Sequence, residues 1–287
     1  MFKSICIKTN NSATISYILN ELDNTQISNV YFSCKKFKNY TNIIVHYIGN
    51  SKSIFISSLS KLLTYLVLDI YENKIIKNLI KSDYFYFSDL EQETIYKICI
   101  DNLNNLESIE RFRIIEEAIY KYLEENRNIN INGFIAFRLY KYFEYLNEIT
   151  SLCINKFIID KEYFEFINLL KSYVDSNSSN SNSIHLIYDN HESILLDENK
   201  NIIPIKKDAF NAPFLSDISF SSNDYTLNNL LSMLPSSIFI HILNESDEFI
   251  DTIKLIFDDR VHFCYGCDIC KIFKNFSRNN SIVKLKR

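Results

Sequence analysis

I-F-I-H-I-L-N-E-S-D-E-F-I-D-T-I-K-L-I-F-D-D-R-V-H-F-C-Y-G-C-D-I-C, residues 238–270, is the stretch whose reading decides the fold. Residues 238–243 form an apolar run suited to a buried strand. Asn244 or Ser246 can then cap a helix that turns Phe249, Ile250, Ile253 and Phe257 inward. Residues 260–263 read as a second strand, which a right-handed crossover sets parallel to the first. Cys264, Cys267 and Cys270 follow at once, at C-x2-C-x2-C spacing with Gly266 easing the turn. The cysteine loop therefore sits at the carboxyl edge of a strand, where open α/β sheets place binding sites.

Upstream, the apolar period is two. Ile184, Leu186 and Tyr188 alternate with His185 and Ile187, and turn signals at 189–191 and 197–201 predict a hairpin or three-stranded meander. Residues 206–224 read as irregular, and 225–234 as a short helix ended by Pro235. The run D-S-N-S-S-N-S-N-S at 175–183 has no apolar side chain to bury, so a mobile linker is expected there.

Before the linker the period is helical. Ser108 caps one stripe, Ile109 to Tyr122, and a break falls at 126–132. A second stripe, Ile135, Leu139, Tyr142, Phe143 and Leu146, can run on through Phe157, and Asp160 is read as the N-cap of a third helix. Short links between such helices predict an antiparallel bundle. The first 82 residues read as β-α-β-β-α, with strands at 2–8, 30–35 and 42–48, and residues 84–87 as a strand or connector. The fold class is therefore α+β. An N-terminal layer spans 1–82, a helical region 83–176, the Ser/Asn linker 177–183, a C-terminal α/β unit 184–273 and a basic tail 274–287.

Composition narrows the function. The chain carries three glycines, three prolines and no tryptophan, and its Ile, Asn, Lys and Tyr richness is that of an AT-rich genome. Single Asn, Lys or Tyr residues are discounted for that reason. A net charge of −4 gives no whole-chain attraction to nucleic acid; only Lys271, Lys274, Arg278, Lys284, Lys286 and Arg287 offer a local phosphate contact. The N-terminus lacks a signal-peptide run, and the longest apolar segment, near residues 62–71, is broken by Thr64 and Asp69. A cytoplasmic protein with no transmembrane segment is expected, and its seven cysteines are then free thiols.

G-F-I-A-F-R-L-Y-K-Y-F-E-Y-L from Gly133, K-E-Y-F-E-F-I-N-L-L-K-S-Y-V-D from Lys161, I-H-L-I-Y from Ile184 and D-R-V-H-F-C-Y-G-C-D-I-C from Asp259 resemble the YtxC-like sporulation proteins of Firmicutes. The resemblance covers about residues 105–270. It implies a cytosolic protein of a spore former with unknown protein partners, and supplies no catalytic residue.

Three thiolates at this spacing suggest a soft metal. Zinc needs a fourth ligand, for which His262, His241 and Cys34 are candidates. An iron–sulfur cluster fits less well, because Lys274 stands where the ferredoxin pattern has its fourth cysteine and no proline follows. Two other readings stay open: cysteines acting as small buried hydrophobes, and C-x-x-C thiol redox chemistry. The other four cysteines, His46 and His185 read as structural. No Ser/His/Asp set, H-E-x-x-H or phosphate loop is present. The sequence favours a non-enzymatic scaffold or interaction protein, with a thiol-redox or metal-dependent enzyme as the alternative.

Overall fold

A computed structural model describes residues 3–24, 30–105, 108–189, 192–204, 221–244, 246–264 and 266–274. The chain is α+β and divides into two units, residues 1–159 and 160–287.

The first unit begins as the periodicity predicts: β1 (Lys3–Thr9), α1 (Ser12–Asn24), β2 (Val30–Lys36), β3 (Thr41–Tyr47) and α2 (Lys52–Leu66). β3 pairs antiparallel with both β1 and β2, with Ile5 opposite Val45 and Ile7 opposite Ile43. Strict alternation puts these four side chains on one face, where they join Ile18 and Leu22 of α1 and Phe55, Leu59 and Leu63 of α2 in one core. A fourth strand, β4 (Asn128–Asn130), lies inside the stretch read as a break. It adds to the sheet parallel to β1, giving the order β2-β3-β1-β4. Three residues are too few to show a period; the buried Ile129 is the whole of its apolar signal.

A six-residue π turn, Val67–Glu72, follows α2 directly and leads into α3 (Asn73–Asp83). Next come α4 (Asp89–Asn105), α5 (Ser108–Glu125), α6 (Ile131–Arg138) and α7 (Tyr140–Ser176). Residues 84–87 are a connector rather than a strand. By length and composition Lys52–Asp83 could cross a membrane, but half of its most apolar window is buried within the protein. The π turn brings Glu72 into the core. Its carboxylate accepts a 2.8 Å ion pair from Arg111 of α5 and a hydrogen bond from the Tyr142 hydroxyl of α7. Burial first, and then the adjacent Glu72 carboxylate, push the Tyr142 hydroxyl far above its usual range, so it stays protonated and donates.

α7 departs from expectation. It is continuous for 37 residues, with Asp160 in its interior rather than at an N-cap. No Gly or Pro lies between 140 and 176, and one Asp is too weak a signal to stop a helix.

In the second unit β5 (Asn180–Asp189), β6 (Glu192–Leu196) and β7 (Ile202–Ile203) form the expected meander. β5 begins at Asn180, inside the Ser/Asn stretch expected to be a mobile linker. Main-chain bonding holds it there: Asn180 N–H donates to the Leu234 carbonyl at 2.9 Å, and Ser183 N–H to the Glu198 carboxylate at 2.8 Å. α8 (Ser222–Met233) opens earlier than residue 225, on a capping box of Ser221 and Asp224. β8 (Pro235–Ile242), α9 (Glu248–Phe257) and β9 (Val261–Phe263) make the crossover, and β8 pairs parallel with both β5 and β9. The N-cap of α9 is Asp247, rather than Asn244 or Ser246; its carboxylate accepts from Phe249 N–H at 3.0 Å. The strand order is β7-β6-β5-β8-β9.

This second sheet has two different faces. Ile184, Leu186, Tyr188, Ile238 and Ile240 share a core with Ile250, Ile253, Ile256 and Phe257 of α9. The opposite face holds a smaller cluster, Ile187, Leu196, Leu243, Ile269 and Cys270.

Candidate metal centre

β8 and β9 deliver the candidate ligands to that second face. His241 alternates with the core residue Ile240 and so points the other way; it is 2% exposed. Cys264 extends β9 by one residue, its N–H donating to the Ile240 carbonyl at 2.9 Å. The chain then turns through Gly266, at φ +114°, and enters a helical turn over 268–274, opened by Lys271 N–H to the Cys267 carbonyl at 3.2 Å. Cys267 and Cys270 lie on either side of that helix start.

The three cysteines expected from spacing and His241 converge, with all four ligand atoms within 4.8 Å of one another. The Sγ atoms of Cys264 and Cys270 are 3.8 Å apart, and those of Cys267 and Cys270 3.9 Å. Nδ1 of His241 lies 3.4 Å from Cys270 Sγ and 3.5 Å from Cys267 Sγ. Thiolates about 2.3 Å from a tetrahedral zinc ion are about 3.8 Å from each other, and an imidazole nitrogen and a thiolate about 3.6 Å apart. Four ligand pairs thus match the edges of a single-ion tetrahedron.

The electrostatics suit thiolate ligation unevenly. Burial works to raise the Cys264 thiol, but backbone N–H groups of Gly266 and Cys267, with the neighbouring thiols, outweigh it and hold the group below its ordinary value. Burial, and then the adjacent thiols, push Cys270 up to about 11. His241 is lowered to about 4, by burial and then by repulsion from His185, so it is a neutral imidazole at pH 7. Such a set can hold a metal ion.

Gly266 is required for its backbone, since an added Cβ would meet nothing within 4 Å. Gly266→Ala is expected to cost about 1–3 kcal/mol from the positive φ alone, as measured by chemical denaturation. A cost below about 0.5 kcal/mol would show that the turn relaxes freely.

Of the candidate fourth ligands, only His241 joins the group. His262 is exposed and faces the Phe239 ring, 5.3 Å between centroids. Cys34 is exposed on β2 of the first unit. Of the basic tail, Lys271 pairs with Asp268 at 3.0 Å, while Arg278, Lys284, Lys286 and Arg287 lie outside the described residues. His46 accepts or donates one bond with Ser4, at 2.9 Å. His185 does more than the sequence suggested: it contacts His241 directly, 3.0 Å from Nδ1 to Nε2. A usable signal was that His185 and His241 both alternate with core residues of neighbouring strands.

The profile of the YtxC-like family matches residues 57–262, well over half of the chain. The match includes His185 and His241 and ends two residues before Cys264. The Uncharacterized protein YtxC of Bacillus subtilis (strain 168) is 26% identical over 132 residues, which is 46% of this chain. The chain likewise covers 46% of that relative's length. No solved structure matches the chain.

Proposed function

The chain belongs to the YtxC-like family, and from that premise we propose a non-enzymatic interaction protein of spore formation, acting in the cytoplasm, with one structural zinc ion at its C-terminal turn. The convergence of His241, Cys264, Cys267 and Cys270, at ligand-atom distances that suit one tetrahedral ion, carries the zinc reading. Cys3His is a donor set of structural zinc, and four protein ligands leave no position for a substrate or catalytic water. A [4Fe–4S] cluster would bind each thiolate to its own iron and a [2Fe–2S] cluster would divide the four ligands between two irons, and ligand atoms all spaced for one ion suit neither. The ion would tie the turn over 266–274 to β8, where the apolar cluster of Ile187, Leu196, Leu243 and Ile269 is small for the task. The link to spore formation rests on the family resemblance of 133–146, 161–175, 184–188 and 259–270.

Elemental analysis of the full-length protein, purified without oxygen or chelator, is expected to give about one zinc per chain. Less than about 0.2 equivalents of zinc and iron together would overturn the metal reading. A thiol-redox reading draws on the lowered Cys264 thiol. It requires metal-free protein in which Cys264 is alkylated faster than free cysteine at pH 7.

A further inference from the structure

His185 stands in the second sheet facing the same side as the ligands, and its surroundings give it a defined task. β5 sets it directly opposite Phe239 of β8, the rings stacked with centroids 5.2 Å apart and planes 28° from parallel. That stacking fixes the imidazole plane. The fixed ring presents Nδ1 to Nε2 of His241 at 3.0 Å, while the other nitrogen of His241 faces Cys267 and Cys270. We infer that His185 is a positioning residue for metal binding: it accepts the Nε2–H of His241 and so commits Nδ1 of that ring to the ion. The inference rests on the zinc reading above.

The physical reason is tautomer choice. A neutral imidazole carries one N–H, and the nitrogen without it is the ligand. In free histidine either nitrogen can hold the proton, and a preorganised site removes that freedom. His241 has its Nε2 turned to an acceptor and its Nδ1 turned to the thiols. For the pair to bond, His185 must itself carry its proton on Nε2, which leaves Nδ1 as the acceptor. Metal-bound histidines commonly donate their second N–H to a carboxylate or carbonyl; here a second imidazole takes that place. A neutral acceptor adds no negative charge beside three thiolates.

The test uses the full chain, with zinc affinity from chelator competition and the Co²⁺ absorption spectrum as readouts. His185→Phe keeps a flat ring against Phe239 and removes the acceptor. It should weaken zinc about 10–100-fold without lowering the stoichiometry at saturation. His185→Gln restores an acceptor and should recover part of the loss. The decisive comparison is made in a His241→Cys background, where no imidazole remains to be oriented. There His185→Phe should change affinity less than about twofold and leave the Co²⁺ bands in place. An equal loss in both backgrounds would assign His185 to packing and overturn the inference. So would an unchanged affinity of His185→Phe in the otherwise native chain. If the native chain itself binds neither ion, the zinc reading fails, a result distinct from both.

Discussion

Cys267→Ser is expected to abolish stable zinc binding and to lower the unfolding midpoint of the second unit. The position is chosen because Cys267 is only half-buried, so the serine hydroxyl can reach water and adds no desolvation cost of its own. A hydroxyl is a far poorer ligand for zinc than a thiolate. Loss of a direct ligand should exceed the 10–100-fold typical of outer-sphere partners, so affinity is expected to fall by more than about 100-fold. Because metal binding is linked to folding, the stability difference between the native and Cys267→Ser chains should disappear when both are measured in excess chelator. If the serine chain retains about one zinc after dialysis, or the difference survives chelation, Cys267 is not a ligand. The stabilisation should be confined to the region where the ion joins the turn over 266–274 to β8. Hydrogen exchange in β1 and β3 of the first unit is then unaffected.

The second large effect lies in the first unit. Arg111→Met would leave the Glu72 carboxylate in the core with, among the described residues, only the Tyr142 hydroxyl bonded to it. Removing one partner of a buried ion pair costs about 3–5 kcal/mol, because the remaining charge is neither solvated nor neutralised. Glu72→Gln combined with Arg111→Met removes both charges and should return most of that loss. Urea unfolding of the native chain and the two variants gives the comparison. A single-variant loss below about 1 kcal/mol would mean that water reaches Glu72 and the pair is not truly desolvated. The network also accounts for the π turn. One residue of extra winding at 67–72 rotates Glu72 inward toward Arg111, where an unbroken α-helix would carry it to a different face.

Much of this architecture was legible in the residue pattern. Alternation of Ile5 and Ile7 with Ser4 and Cys6 fixes β1 and its core face, and the same rule fixes β3 and β5. The apolar run before an inward helical stripe and a second short strand specifies the parallel β8-α9-β9 unit. Other elements were not legible, for physical reasons. β4 is three residues long and is defined by bonding to β1, not by its own period. β5 extends to Asn180 because Leu234 supplies a main-chain partner, although the side chains there favour no structure. α7 runs through Asp160 because no Gly or Pro interrupts residues 140–176, and a cap signal worth about 1 kcal/mol does not by itself break a helix.

At the site the division is sharper. The sequence by itself determined three of the four candidate ligands, since Cys264, Cys267 and Cys270 are local to one loop and their spacing is a property of that loop. Gly266 was legible with them, as the residue that lets the loop turn. The fourth candidate ligand is 23 residues before Cys264 in the chain, and no spacing rule separates His241 from His262, which is nearer. The tertiary structure decided between them. The parallel register sets Phe239 beside His262 and leaves His241 level with the start of the cysteine loop. His185 is further still, on a strand reached only through a meander and a helix. Its meeting with His241 exists because β5 and β8 pair side by side, a contact made by main-chain hydrogen bonds and invisible to any local pattern.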